Sequence, residues 1–451
     1  MQIDSGNTAW VLASSALVLF MTPGLAFFYG GMVRTKNVLG MLMQNYVVMG
    51  IVSILWVLFT YSLAFGVDWG GHGFIGTLHF AGLAHPTQAV PGYVGPLAQS
   101  IPPLVFVSFQ LMFAIITPAL ITGSTADRLK FGGFVAVIAL WAIFVYAPVA
   151  HWVFSPTGWL FKFGAEDFAG GTVVHLNAGI AGVALALVVG RRRHWPKEPM
   201  PPHSLPLTLL GAGMLWFGWF GFNAGSALGA NQLAAQAFIN TNTATAAALL
   251  SWIATEKLRN GKSTTLGAAS GAVAGLVAIT PACGYVNAMG SIAIGLIAGC
   301  ICALATSLKF RLKLDDSLDV GAVHLVGGAT GALLIGFFGT STVGGADGLF
   351  YGGGLTLLGK QAVAIGAVGA FSFVVTFLIG KLVSATIGLR VDEAAEHQGL
   401  DNSQHAETAY ELGLVLSRGR ITSTPEPLDG AAAARSEGSS EIRTPAMGAD
   451  S

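Results

Sequence analysis

Two histidines set deep inside apolar segments are the residues of this chain best suited to chemistry. His175 lies in the string D-F-A-G-G-T-V-V-H-L-N, from Asp167 to Asn177. A carboxylate stands at the mouth of an apolar run, and an imidazole lies about two helical turns inside it. The pattern V-H-L-x-x-G-x-x-G at Val174–Gly182 recurs at Val323–Gly331 and gives His324 the same surroundings, with Asp319 ahead of it. A neutral imidazole offers one hydrogen-bond donor and one acceptor, and it can exchange a proton near neutral pH. Two of them could relay a proton or pass a small polar molecule between them. Two histidines on different helices could also ligate a haem iron axially, which a visible absorption spectrum would reveal. Ionisable groups at membrane depth are costly and mark function, so the pair is read as working machinery.

The elements that must hold these groups follow from composition. The 451 residues are 53% hydrophobic and only 10% charged. Soluble domains carry roughly 25% charged residues, so most of this chain cannot face water. A membrane-crossing helix needs about 17–25 apolar residues. Eleven segments qualify, from Ala9–Gly30 to Ala362–Ile387, with Leu266–Tyr285 the richest in small residues and Ile292–Leu308 the shortest. Lys and Arg favour the cytoplasmic side. On this count 20 of the 22 basic residues share one side, and only Lys162 and Lys360 lie opposite. The N-terminus is expected outside and the C-terminus in the cytoplasm. The first apolar run lacks a basic flank and is expected to stay in the membrane.

The histidine motifs fall in the fifth and tenth segments. Five helices apart, equivalent helices run in opposite directions, which marks a five-plus-five inverted repeat followed by an extra helix. The expected fold is therefore an all-α polytopic membrane protein of eleven transmembrane helices with a pore through each protomer. Residues 1–387 form the transport domain, 388–416 a cytoplasmic segment, and 417–451 a tail too poor in apolar residues to order itself. The 61 glycines suit close helix packing. Cys283, Cys300 and Cys302 lie in or beside apolar segments, without the spacing of a metal site or a disulfide framework. No cofactor, metal, nucleic-acid partner or enzymatic activity is expected.

Several further strings resemble the ammonium transporter family (Amt/Mep/Rh), in its bacterial Amt form. They are F-F-Y-G-G at Phe27–Gly31, K-N-V-L at Lys36–Leu39, G-W-F-G-F-N-A-G-S at Gly218–Ser226, T-P-A-C-G-Y-V at Thr280–Val286 and D-V-x-x-V-H at Asp319–His324. The resemblance covers Ala9 to Leu412. It implies a channel for ammonium, with methylammonium as an analogue, in a homotrimer in the cell inner membrane. His175 and His324 would be twin pore histidines, and Phe113 and Phe222 a phenyl gate. Phe109, Ser226 and a third aromatic, either Phe154 or Trp159, would receive the cation. Trp219 would line the pore, and Asp167 would support the cation site. Phe154 stands where many relatives have tryptophan, a stronger cation–π partner.

In the same resemblance, E-x-x-G-x-D at Glu396–Asp401 and H-A-E-T-A-Y at His405–Tyr410 match a regulatory segment that meets a PII-type signalling protein; Ala406 replaces the usual glycine. An ammonium sensor would share every pore residue. Simpler roles exist for single residues: Asp167 as a helix cap, Ser226 bonded back to its own helix, and the phenylalanines as core.

Overall fold

The computed structural model describes residues 2–97 and 99–410. Nine helices among the described residues are long and apolar enough to cross a membrane. In chain order they are α1 (Ser5–Met32), α2 (Thr35–Phe65), α3 (Pro103–Thr125), α4 (Phe131–Phe163), α5 (Gly171–Val189), α6 (Leu205–Gly225), α9 (Ala288–Arg311), α10 (Gly321–Phe338) and α11 (Thr356–Thr386). Between α6 and α9 lie α7 (Gln232–Asn260) and α8 (Thr265–Ile279). Large apolar side chains such as Ile54, Leu210, Leu250 and Leu378 stay exposed on the helices, as a lipid-facing surface requires. Within the described residues there are isolated β-bridges but no strand.

The last two helices depart from a simple apolar span for different reasons. α7 is long but polar, and its polar groups are used inside the bundle. Asn240 donates to the carbonyls of Cys283 and Val286, and Asn223 donates to Thr241 Oγ1. The expected span Leu266–Tyr285 stops as helix at Ile279. Pro281 has no N–H to donate to the carbonyl four residues before it, and the chain continues beyond it in turns. The broken end is put to use: Pro281 O accepts from the Phe168 amide at 3.0 Å.

α1 packs on α6, α7 on α8 and α9, and α5 on α11, while α5 and α10 meet at the centre. That crossing is set by two glycines. A Cβ on Gly179 would come within 2.2 Å of the Leu325 amide nitrogen, and one on Gly328 within 2.8 Å of the Gly171 carbonyl. Gly179 and Gly328 stand four residues after their respective histidines, so each motif's glycine receives the other motif's backbone.

At the basic end of the bundle, the connections between helices form a buried ion network. Asp127 accepts from Arg34 and Arg192, and Asp315 accepts from Arg192 at 2.8 Å. Fully buried Arg128 donates to Gly190 O, Ala126 O, Ser124 O, Asp315 O and Ser317 Oγ. Burial pushes the Arg128 guanidinium down to about 10, with neighbouring Asp315 opposing the shift. The segment after α11 docks on this end. Its short helices are α12 (Glu393–Gln398) and α13 (Leu400–His405).

The E-x-x-G-x-D string has a physical reading there. Glu396 accepts from the Arg193 amide and from Arg390, and Asp401 accepts from the Gly40 amide. Gly399 takes a left-handed φ of 107° between the two helices. Ala406 closes α13 with φ 55° and ψ 35°, a conformation that favours glycine. Ala406→Gly is expected to stabilise the docked segment by about 1 kcal/mol. Slower hydrogen exchange of the 400–405 amides would register it. The sequence boundary between residues 416 and 417 lies outside the described residues, as does everything from 411 onward.

Candidate functional site

The carboxylate of Asp167 sits just ahead of α5, where helix amides lack partners. Its Oδ1 accepts from the amides of Gly170 and Gly171 at 2.8 and 2.6 Å. Its Oδ2 accepts from the amides of Thr172 and Val173 and from the Thr172 hydroxyl. Five donors on one buried carboxylate make a strong anchor for the first turn. That turn, Gly171–Leu176, is π-helical, as is Gly321–Leu325 around the second histidine. Such turns re-aim a side chain and occur often at functional sites. The acid that caps α10 is Asp316, which accepts from the Val320 and Gly321 amides. It precedes His324 by the same eight residues that separate Asp167 from His175. Asp319, expected in that position, instead pairs with Lys309 at 2.8 Å.

The two imidazoles meet directly. His175 Nδ1 and His324 Nδ1 lie 3.3 Å apart, and the ring planes differ by 19°. One nitrogen must donate and the other accept, so the neutral pair shares one proton across the contact. Both rings are buried, and His175 Nε2 has no hydrogen-bond partner. Axial ligation would need about 2 Å from each nitrogen to iron, with a macrocycle between them. The 3.3 Å contact leaves no such gap.

A file of rings leads to the pair. Phe113 and Phe222 approach with centroids 4.3 Å apart, and Phe222 lies 5.9 Å from His175. Trp219 stacks on His175 at 5.2 Å, and its indole N–H donates to Thr280 Oγ1 at 2.8 Å. Thr280 stands at the helix break before Pro281; its position in T-P-A-C-G-Y-V could have singled it out.

Two cavities flank this file. One, of about 180 Å³, is lined by Phe113, Phe154, Asp167, Phe168, Ser226 and Tyr285, among others. Ser226 Oγ donates to Phe222 O, which leaves its lone pairs available to a guest. Phe154 lies 6.4 Å from Phe113 and lines the cavity. Trp159 packs away from it, on Trp152 and Phe74. Phe109 supports Phe113 from behind, at 4.9 Å. The other cavity, of about 370 Å³, reaches His324 and is also lined by Phe28, Tyr29, Glu256, Lys309 and Asp319.

Glu166, next to Asp167, was not among the expected site residues. Its Oε1 accepts from the Ala346 amide, while Oε2 is buried without a partner. Burial pushes this carboxyl up to about 7, and Lys360 only partly opposes the shift. A raised acid penalises folding only when ionised. Stability should therefore fall as pH rises from about 4.5 through about 7, and Glu166→Gln should flatten that fall in a thermal-stability series.

Residues 9–410 match the Ammonium Transporter Family. An ammonium transporter of Mycobacterium tuberculosis is 52% identical over 438 residues, covering 91% of each chain. The crystal structure of Saccharomyces cerevisiae Mep2 superposes with a TM-score of 0.80 at 36% identity, covering 87% of this chain and 91% of that one. A structure named Sensor Amt Protein superposes with a TM-score of 0.81 at 30% identity, covering 89% of this chain and 98% of that one.

Proposed function

This chain belongs to the ammonium transporter family, and from that premise we propose that it takes up ammonium by admitting the cation at one mouth and passing ammonia through its centre. Members of the family transport and do not catalyse, so the chain is a multi-pass membrane transporter and not an enzyme. The observation that carries the mechanism is the buried His175–His324 contact, set between two cavities and behind two closed phenyl rings.

Ammonium and potassium are alike in charge and size, and a bare cavity discriminates poorly between them. Ammonium differs in carrying N–H donors and a removable proton. In the cavity at Asp167, the faces of Phe113 and Phe154 attract a cation by about 0.5–2 kcal/mol each. Ser226 accepts one N–H, while Asp167, saturated by helix amides, adds negative potential without direct contact. Beyond Phe113 and Phe222 the path is apolar, and an ion that cannot lose its charge pays the full desolvation cost. Ammonium loses its proton and enters as ammonia. His175 and His324 then offer it a donor and an acceptor in turn, and the proton travels with it or separately.

Eleven membrane spans, α1 to α11, give this chain an inverted repeat of five plus five, with α11 outside the repeat. The reciprocal seating of Gly179 and Gly328, together with the matched caps Asp167 and Asp316, supports that symmetry. The Asp167 mouth faces outward and the basic end faces the cytoplasm, in the inner membrane of the cell. Protomers assemble as a homotrimer, and the segment 388–416 is the part of the chain on which a PII-type regulator acts. The likeness to a sensor Amt protein favours one second reading, in which the same pore reports ammonium rather than supplies it.

Uptake of radiolabelled methylammonium by cells lacking their own ammonium transporters tests the primary reading. Uptake that ammonium competes away and potassium does not is the expected result. Absence of uptake by correctly inserted protein would favour the sensor.

A further inference from the structure

His151 is fully buried on α4, and both of its ring nitrogens face acceptors. Nδ1 lies 2.8 Å from the carbonyl of Ala64, in the last turn of α2. Nε2 lies 3.0 Å from Oδ1 of Asp68, on the connection that follows α2. A carbonyl can only accept, and an ionised carboxylate can only accept. A neutral imidazole has one N–H and cannot satisfy both. The arrangement therefore holds one proton more than a neutral histidine and an ionised aspartate would carry. Whether that proton sits on the ring or on Asp68, the two contacts survive only while it is bound. The other oxygen of Asp68 is buried without a partner, so His151 is the group that compensates the carboxylate.

The pair fastens the connection between α2 and α3 to the end of α4 that carries Phe154. Neighbouring contacts reinforce the seam: Trp152 Nε1 donates to Phe74 O, the Trp159 amide donates to Gly73 O, and Tyr93 donates to Phe154 O. The charged partner that Asp68 and His151 have is each other, at 3.0 Å, with both side chains buried. Among the described residues, no lysine or arginine nitrogen lies within 4 Å of Asp68, and no second carboxylate lies within 4 Å of His151.

We infer that His151 and Asp68 form a one-proton clamp that positions the Phe154 wall of the ammonium-receiving cavity and releases when the proton is lost. The clamp itself rests on the contacts above; its effect on recruitment rests on reading that cavity as the cation's point of entry. His151 and Asp68 are positioning residues, since neither lines the cavity. At alkaline pH the bare Nε2 faces a carboxylate, the contact turns repulsive and the connection loosens.

Asp68→Asn separates proton linkage from simple structure. An asparagine amide can donate to Nε2 while Nδ1–H donates to Ala64 O, so the geometry is satisfied without the extra proton. The experiment compares the full-length wild type, D68N and D68A at about pH 6 and about pH 9, either side of neutrality. It reads hydrogen exchange of the 66–84 peptide, corrected for intrinsic rates, and the KM for methylammonium in proteoliposomes. The wild type should lose protection at the higher pH and raise its KM by about threefold or more with little change in maximal rate, D68A should be loose at both pH values, and D68N tight at both. Exchange that is the same in wild type and D68A, or the same pH response in wild type and D68N, overturns the clamp. If exchange follows the prediction but KM does not move, the positioning claim is overturned. Phe154→Ala serves as the reference for the entry site: should it leave KM unchanged, the recruitment reading fails, and exchange alone still decides whether the clamp exists.

Discussion

Replacing His175 and Phe222 together by alanine should turn a selective pore into a leak. The double variant removes the ring that closes on Phe113 at 4.3 Å and the imidazole that follows it at 5.9 Å. Both side chains are buried, so their loss opens a continuous space between the two cavities. Joined to the cavities on either side, that space admits a file of water, and a hydrated path no longer requires an ion to shed its charge. Potassium flux, excluded by the intact protein, should appear, and competition by ammonium should weaken by about tenfold or more, the equivalent of about 1.4 kcal/mol of lost discrimination. Phe→Ala in a packed interior costs about 3–5 kcal/mol, so Phe222→Leu with His175→Ala serves as the milder pair. Unchanged methylammonium uptake with potassium still excluded, in protein that elutes as the wild type does, would contradict the assignment of these rings to the path.

The second large effect concerns Asp167. Its carboxylate accepts five hydrogen bonds at the start of α5, all from groups with no competing partner at a helix N-terminus. Asp167→Ala leaves four amides and a hydroxyl buried and unpaired. A hydrogen bond to a charged group contributes about 1.5–3 kcal/mol, so a loss on the order of 4 kcal/mol or more is expected. Asp167→Asn should recover little. Its oxygen can serve one side, but its NH₂ then faces the Thr172 amide, donor against donor. Both variants should yield less folded protein and unfold at a lower temperature in detergent. Wild-type thermal stability in Asp167→Ala would show that α5 does not depend on this cap.

The sequence made the outline of this architecture readable, because charge scarcity and apolar length leave few alternatives in a membrane. His175 and His324 stood out for the same reason: ionisable groups are rare at that depth, and their repeat drew attention. What could not be read was geometry that depends on a partner segment. Asp319 is the nearer acid to His324, yet Asp316 accepts from the Val320 and Gly321 amides while Asp319 turns to Lys309. The length of α8 was overestimated because apolar composition continues through Pro281 and Cys283 while the helix does not. Phe154 and Trp159 were equivalent by residue type; only the turn at Ser155–Gly158 separates the ring that lines the cavity from the one that packs behind it. The His151–Asp68 contact joins residues 83 positions apart and had no signature in spacing.

The most direct test of ammonia passage past twin histidines is flux through the purified protein in proteoliposomes, under matched ammonium and potassium gradients. Both tracer uptake and current should be recorded, so that neutral and charged transport are both seen. Ammonium-dependent flux with no potassium flux, abolished or made unselective by His175→Ala with Phe222→Ala, is the predicted result. Potassium flux equal to that of ammonium in the wild type, or full selectivity in the double variant, would contradict it.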